Sequence, residues 1–139
     1  MAIELVSRIP DTDTYLSLRL GGGMGGYARE AAEIGLRNSL FCVMLYDGET
    51  PVGMGRLIGD GGLFVQVTDI IVLPAYQGLG LGKKIMAALT DYIETRLPPT
   101  TYVSLIADVP ANRLYEQFGF RETAPDSLGM SRRSDPITP

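Results

Sequence analysis

Thr68-Asp-Ile-Ile-Val-Leu-Pro-Ala-Tyr-Gln-Gly-Leu-Gly-Leu-Gly-Lys-Lys-Ile-Met-Ala-Ala-Leu-Thr-Asp-Tyr-Ile-Glu-Thr-Arg96 decides the fold. Ile70 to Leu73 is a short apolar run rich in β-branched residues, which suits a buried strand. Pro74 has no N–H to give to a sheet ladder, so the strand is expected to stop there. After Gln77, Gly78, Gly80 and Gly82 alternate with Leu79 and Leu81. Glycines so placed let the backbone turn tightly and expose successive N–H groups. The spacing of Ile85, Met86, Leu89, Tyr92, Ile93 and Leu97 predicts an amphipathic helix starting near Gly82 or Lys83.

A strand feeding a glycine loop that opens a helix makes an anion site. The first N–H groups of a helix lack internal partners, and its dipole is positive at that end. A phosphate or pyrophosphate is the natural guest. A tight turn that binds nothing is the alternative, but each of the alternate glycines costs backbone entropy. Two familiar phosphate motifs fit poorly. The nucleotide phosphate loop G-x-x-x-x-G-K-[ST] finds Lys84 where it needs a hydroxyl. The dinucleotide fingerprint G-x-G-x-x-G meets G-x-G-x-G here, with no clean βαβ unit and distal acid following.

Val72 to Gly82 resembles the acetyl-coenzyme A signature of the GCN5-related N-acetyltransferases, Q/R-x-x-G-x-G/A, which Gln77, Gly80 and Gly82 fill. Asn112-Arg-Leu-Tyr-Glu-Gln-Phe-Gly-Phe120 resembles the late LYE-x-x-GF helix and turn of the same family. The resemblance implies a mixed α/β (α+β) domain. Its twisted, mostly antiparallel sheet is flanked by about four helices, and strands four and five splay around the coenzyme. Here those strands are expected at Leu63–Leu73 and Tyr102–Ala107.

The resemblance also implies acetyl transfer from acetyl-coenzyme A to a primary amine. Backbone N–H groups of Gly78, Leu79, Gly80, Leu81, Gly82 and Lys83 would hold the pyrophosphate. The Lys83 side chain either adds a charge contact or stands solvated. Ile71 and Val72 would pair through their backbone with the pantetheine, and an amide near Val72 would be one oxyanion donor. Tyr115 matches the tyrosine that protonates the departing thiolate, its alternative being a packing role at a helix-to-strand joint. Many relatives carry asparagine seven residues before that tyrosine. Here that place holds Asp108, and Asn112, three before, either takes over or faces solvent.

An attacking ammonium must first lose a proton. Histone-acetylating relatives have a glutamate where this chain has Gln66, which cannot serve as a base. Asp69 is the nearest carboxylate on the strand. Amid β-branched residues it would be desolvated and its pKa raised. It is the candidate base, or else a hydrogen-bonded structural aspartate at a strand bulge. Met24, Tyr27 and Arg29 are candidate acceptor contacts, as is Met130. The Gly21–Tyr27 loop is either a lid over the acceptor or a flexible connector.

Composition sets outer limits. A chain of 139 residues with 45% apolar and 20% charged residues is one domain, residues 1–139, with room for a core. It contains no histidine, which excludes His-dependent triads and most zinc sites, so no metal is expected. Cys42 is the only cysteine, expected as a small core residue. A net charge of −4 argues against nucleic acid as a partner. No apolar run approaches membrane length and no signal peptide is read, so no membrane partner and a cytoplasmic location are expected. Homodimerisation at exposed strand edges is an expectation drawn from relatives.

Outside the central stretch, alternation predicts a strand over Ile3–Ile9, with Asp11, Thr12 and Asp13 as caps for a helix over Thr14–Leu20. A second helix is expected over Arg29–Ser39, with Ala31, Ala32, Ile34 and Leu36 on its apolar side. Phe41–Tyr46 and Pro51–Ile58 read as a hairpin, with Gly53 and Gly55 as bulge or close-approach positions. Pro110 opens a helix to Phe118, and Gly119 stops it. A last strand region begins at Phe120, Met130–Arg133 returns, and Ser134–Pro139 frays.

The function expected is that of a small-molecule N-acetyltransferase acting on an amino sugar, polyamine, amino acid or antibiotic amine by direct attack in a ternary complex. A protein or peptide N-acetyltransferase is the second reading. A non-catalytic acetyl-coenzyme A-binding module is the third.

Overall fold

A computed structural model describes residues 2–135 of the chain; Met1 and residues 136–139, part of the tail expected to fray, lie outside them. Five strands form one sheet in the order β1-β2-β3-β4-β5. They are β1 (Ile3–Ser7), β2 (Phe41–Asp47), β3 (Thr50–Gly59), β4 (Phe64–Val72) and β5 (Tyr102–Ser104). The first four pair antiparallel, and β5 joins β4 in parallel. The helices are α1 (Thr12–Gly21), α2 (Arg29–Arg37), α3 (Leu81–Arg96) and the short α4 (Asn112–Glu116). No helix among the described residues is long and apolar enough to cross a membrane.

The sheet is buried on both faces, which is why Cys42-Val-Met-Leu45 is an unbroken apolar run rather than an alternating one. Val43 and Leu45 turn toward α3, where Leu81, Ile85, Met86 and Leu89 meet them. Cys42 and Met44 turn the other way, toward Tyr15 and Leu18 of α1 and Ala32 and Leu36 of α2. Cys42 is thus a core residue, as expected. Burial pushes its thiol up to about 12. The stripe on α2 is narrower than expected, with Ala31 and Ile34 facing solvent.

The two glycines of β3 have distinct uses. A Cβ on Gly53 would stand 2.7 Å from the Ile71 carbonyl oxygen, and one on Gly55 would collide with Cγ2 of Ile85. Bare backbone at Gly55 therefore lets α3 lie close against the sheet. At the same place the β3–β4 register slips: Met54 pairs with Ile71 but Arg56 with Thr68, so Asp69 and Ile70 together oppose Gly55. This is a bulge on β4. Asp69 has φ of 54°, the one non-glycine residue in the left-handed region among those described.

Several expectations need correction at the C-terminal end. β5 stops at Ser104, not Ala107, because the chain there leaves β4 and no ladder partner remains. The last helix covers only Asn112–Glu116 and is followed by a turn to Gly119, whose φ is 89°. No strand forms over 120–135, so neither the region after Phe120 nor Met130–Arg133 joins the sheet.

Gly55→Ala is expected to lower the unfolding free energy in urea by about 1–3 kcal/mol through overpacking against α3. Gly35→Ala, mid-helix in α2 with open space at its Cβ position, is expected to raise it by about 0.5–1 kcal/mol.

Candidate acetyl-transfer site

β4 and β5 pair only from Phe64 to Gln66, and beyond that point their paths separate. The edge of β4 that faced β5 is left without a strand partner from Val67 onward. Between it and the segment Leu105–Tyr115 lies a cleft of about 430 Å³. Ile71, Val72 and Gln77 line one wall, and Asp108, Ala111 and Tyr115 the other. The expected splay is therefore present.

At the mouth of the cleft, Gly78 and Gly80 have φ of 79° and 77°, and nothing lies within 4 Å of where their side chains would be. They are glycines for backbone conformation. Gly82 is different: a Cβ there would stand 3.1 Å from Cδ2 of Leu114, so its role is close packing of α3 on α4. Six successive backbone N–H groups, from Gly78 to Lys83, have no acceptor among the described residues. They stand at the positive end of a helix of 16 residues. A second hollow, of about 320 Å³, joins Gly78, Gly80 and Gly82 to Tyr115. This loop fits a pyrophosphate, and the unpaired β4 edge fits an extended amide chain.

The Gln77 side chain turns back to donate to the Val72 carbonyl at 3.0 Å, so it fastens the end of β4 to the loop. Leu79 is exposed, and the exposed Lys83 side chain pairs with no acid among the described residues. Tyr115 is half-buried, and burial and the nearby Asp108 carboxylate push its phenol above the usual tyrosine range. Asn112 donates weakly to Glu116 at 3.4 Å, while its Oδ1 is buried with no partner.

Asp69 does not have the apolar surroundings expected of it. Arg19 Nη1 donates to Oδ1 at 2.8 Å and Arg56 Nε to Oδ2 at 2.9 Å. The Tyr15 hydroxyl lies 3.0 Å from both oxygens. Burial, then the charge of Asp69, pushes the Tyr15 phenol up to about 12. Sequence reasoning missed Tyr15, Arg19 and Arg56. The available signal was charge within apolar runs, since Leu18-Arg19-Leu20 and Arg56-Leu57-Ile58 each bury a guanidinium that must find a carboxylate.

Of the candidate acceptor contacts, Met24 lines the cleft. Tyr27 lines a neighbouring pocket with Tyr15, Arg56, Gln66, Thr68 and Asp69. The other two line neither the cleft nor that pocket. Arg29 is spent on surface pairs with Asp13 at 2.7 Å and Glu33 at 3.3 Å, and Met130 is 87% exposed, lining neither cavity.

Residues 27–129 match the family described as acetyltransferase (GNAT) domain. The chain belongs to the GNAT family. A solved structure from meticillin-resistant Staphylococcus aureus, a protein of unknown function described as a probable acetyltransferase, is 48% identical with a TM-score of 0.90. The match covers 95% of this chain and 99% of that one. A GNAT-family acetyltransferase from Streptococcus pneumoniae is 27% identical with a TM-score of 0.79, covering 97% and 100%. An uncharacterised N-acetyltransferase, ycf52, of Pyropia yezoensis is 28% identical over 70% of this chain. The match spans 58% of the length of that curated relative. GNAT membership implies acetyl-coenzyme A as co-substrate.

Asp69→Ala would leave two buried guanidiniums without their shared carboxylate. A loss of about 3–5 kcal/mol is expected by chemical denaturation. Tyr15 makes a pH prediction. Its phenol pKa is raised on folding from 10.0 to about 12, so its contribution to stability is complete below pH 10 and lost as pH rises to about 12. Tyr15→Phe should flatten that alkaline loss in melting curves.

Proposed function

We propose that this protein transfers the acetyl group of acetyl-coenzyme A to the primary amine of a small molecule by direct attack within a ternary complex. The observation that carries the reading is the position of Tyr115. Its side chain borders both the hollow at the glycine loop and the cleft along β4, where the two ends of one long cofactor would meet.

Bound acetyl-coenzyme A supplies the activated acetyl thioester. The N–H groups of Gly78 to Lys83 bind its phosphates. The β4 edge at Ile71 and Val72 orients the pantetheine and offers an N–H to the thioester carbonyl as negative charge grows there. Tyr115 gives its proton to the departing sulfur as the new C–N bond forms and the C–S bond breaks. A raised phenol pKa keeps that proton in place at neutral pH. Asp108 and Asn112 flank the phenol from α4 and the turn before it.

Direct transfer is favoured over an acyl-enzyme. The chain has no histidine, and its one thiol, on Cys42, lies in the core with its pKa pushed up to about 12. Asp69 acts as a structural anchor rather than the base, because both its oxygens are engaged by guanidiniums. The amine gives up its proton to water. A small acceptor suits the pocket beside the cleft, about 280 Å³ and rimmed by Tyr27.

Release of free thiol from acetyl-coenzyme A across an amine panel, with calorimetric binding alongside, tests the reading. Tyr115→Phe is expected to lower kcat by roughly 10²–10⁴-fold while leaving acetyl-coenzyme A affinity within a few-fold. Gly80→Ala, forced into the left-handed region, should weaken coenzyme binding instead. Folded protein without coenzyme binding would refute the proposal, and binding with no turnover on any amine would favour a sensing module.

A further inference from the structure

We propose that the pocket between α1, α2 and β4 holds an anion, so that the acceptor is an amine whose far end carries a carboxylate or a phosphate. This rests on the reading of the adjoining cleft as the acetyl-coenzyme A site.

The pocket and the cleft share one wall: Gln66, Thr68 and Asp69 of β4 line both. A molecule seated in the pocket can therefore reach over that wall with one end. The charge around it is unbalanced. Arg19 and Arg56 are buried against a single carboxylate, Asp69, which leaves one positive charge in excess. A third guanidinium touches a residue of the lining, since Arg133 Nη1 donates to the Tyr27 hydroxyl at 3.1 Å. The Tyr27 ring lies against two of these cations, 4.8 Å from the Arg19 guanidinium carbon and 5.3 Å from that of Arg133. All this sits in a chain whose net charge is −4.

The guanidiniums are also not saturated. Arg56 uses Nε on Asp69 and Nη1 on the Gly35 carbonyl and the Ser39 hydroxyl. Arg19 uses Nε on the Gly25 carbonyl and Nη1 on Asp69 and Met24. The Nη2 of each has no acceptor among the described residues. Arg56 is a rigid fork held from two sides, lining the pocket with one edge unspent. That is how guanidinium recognises carboxylate or phosphate. The acidic groups nearest on α2 do not cancel this charge. Glu33 pairs with Arg29, and Glu30 is exposed at the start of the helix. A second ammonium, as in a polyamine, would meet repulsion here.

The test uses the full-length protein and a matched set: aminobutanoate, aminobutyl phosphate, aminobutanol and diaminobutane. Binding of each is measured by calorimetry with coenzyme A present and absent, and turnover by thiol release. At least one anionic member should bind about tenfold more tightly than aminobutanol, as one charge-assisted contact allows, and diaminobutane should bind no better than the alcohol. Carboxylate over phosphate, or the reverse, names the source of the anion. Arg56→Gln, checked for folding, should erase the preference while leaving acetyl-coenzyme A affinity unchanged. If that variant does not fold, the wild-type comparison still decides. Aminobutanol or diaminobutane binding as well as both anions would overturn the proposal. Selective anion binding without any turnover would uphold the pocket and count against the transferase reading alone.

Discussion

The shared carboxylate of Asp69 is the constraint on which the rest of the structure depends. A charge in the middle of a two-sided core is tolerable only if it is paired and hydrogen-bonded. Here the pairing also carries information. Arg56 comes from β3, Arg19 and Tyr15 from α1, and further donors of the two guanidiniums reach Gly35 and Ser39 around α2 and Gly25 in the glycine loop. One carboxylate thereby fixes where both helices sit on the sheet. It also holds a non-glycine residue in a left-handed conformation, a strain of about 1–3 kcal/mol that persists only where the surroundings over-determine it. The strain has a use: the bulge at Asp69 bends β4 along the stretch that borders the cleft.

At the mouth of the cleft the work is done by backbone. Two glycines supply conformation and a third supplies closeness, so the spacing that looks like one motif is two devices superimposed. Gln77 belongs to the same construction. Its side chain ties β4 to the loop, which makes the angle between the strand end and the first turn of α3 a fixed quantity. The free N–H groups of the loop and the strand edge are thereby held at a constant separation.

Much of this was legible in the sequence. Periodicity marked α3, the apolar run Ile70 to Leu73 marked a buried strand, and the alternate glycines marked the loop. These features are local, and local patterning decides them. What the sequence did not yield depends on who meets whom. Asp69 looks isolated because its partners are 50 and 13 residues away along the chain. Arg29 looks free because nothing in its spacing reveals that it faces Asp13 on the surface. Strand propensity after Ser104 and around Phe120 is real, but a strand needs a neighbour to bond, and the chain there turns away from every available edge.

That missing neighbour matters beyond the cleft itself. An open strand edge usually invites another polypeptide, the first step toward aggregation. From Val67 to Val72 this fold keeps such an edge but recesses it behind Leu105, Ile106 and Tyr115. The walls that shape the cavity therefore also guard the protein against pairing with its own kind.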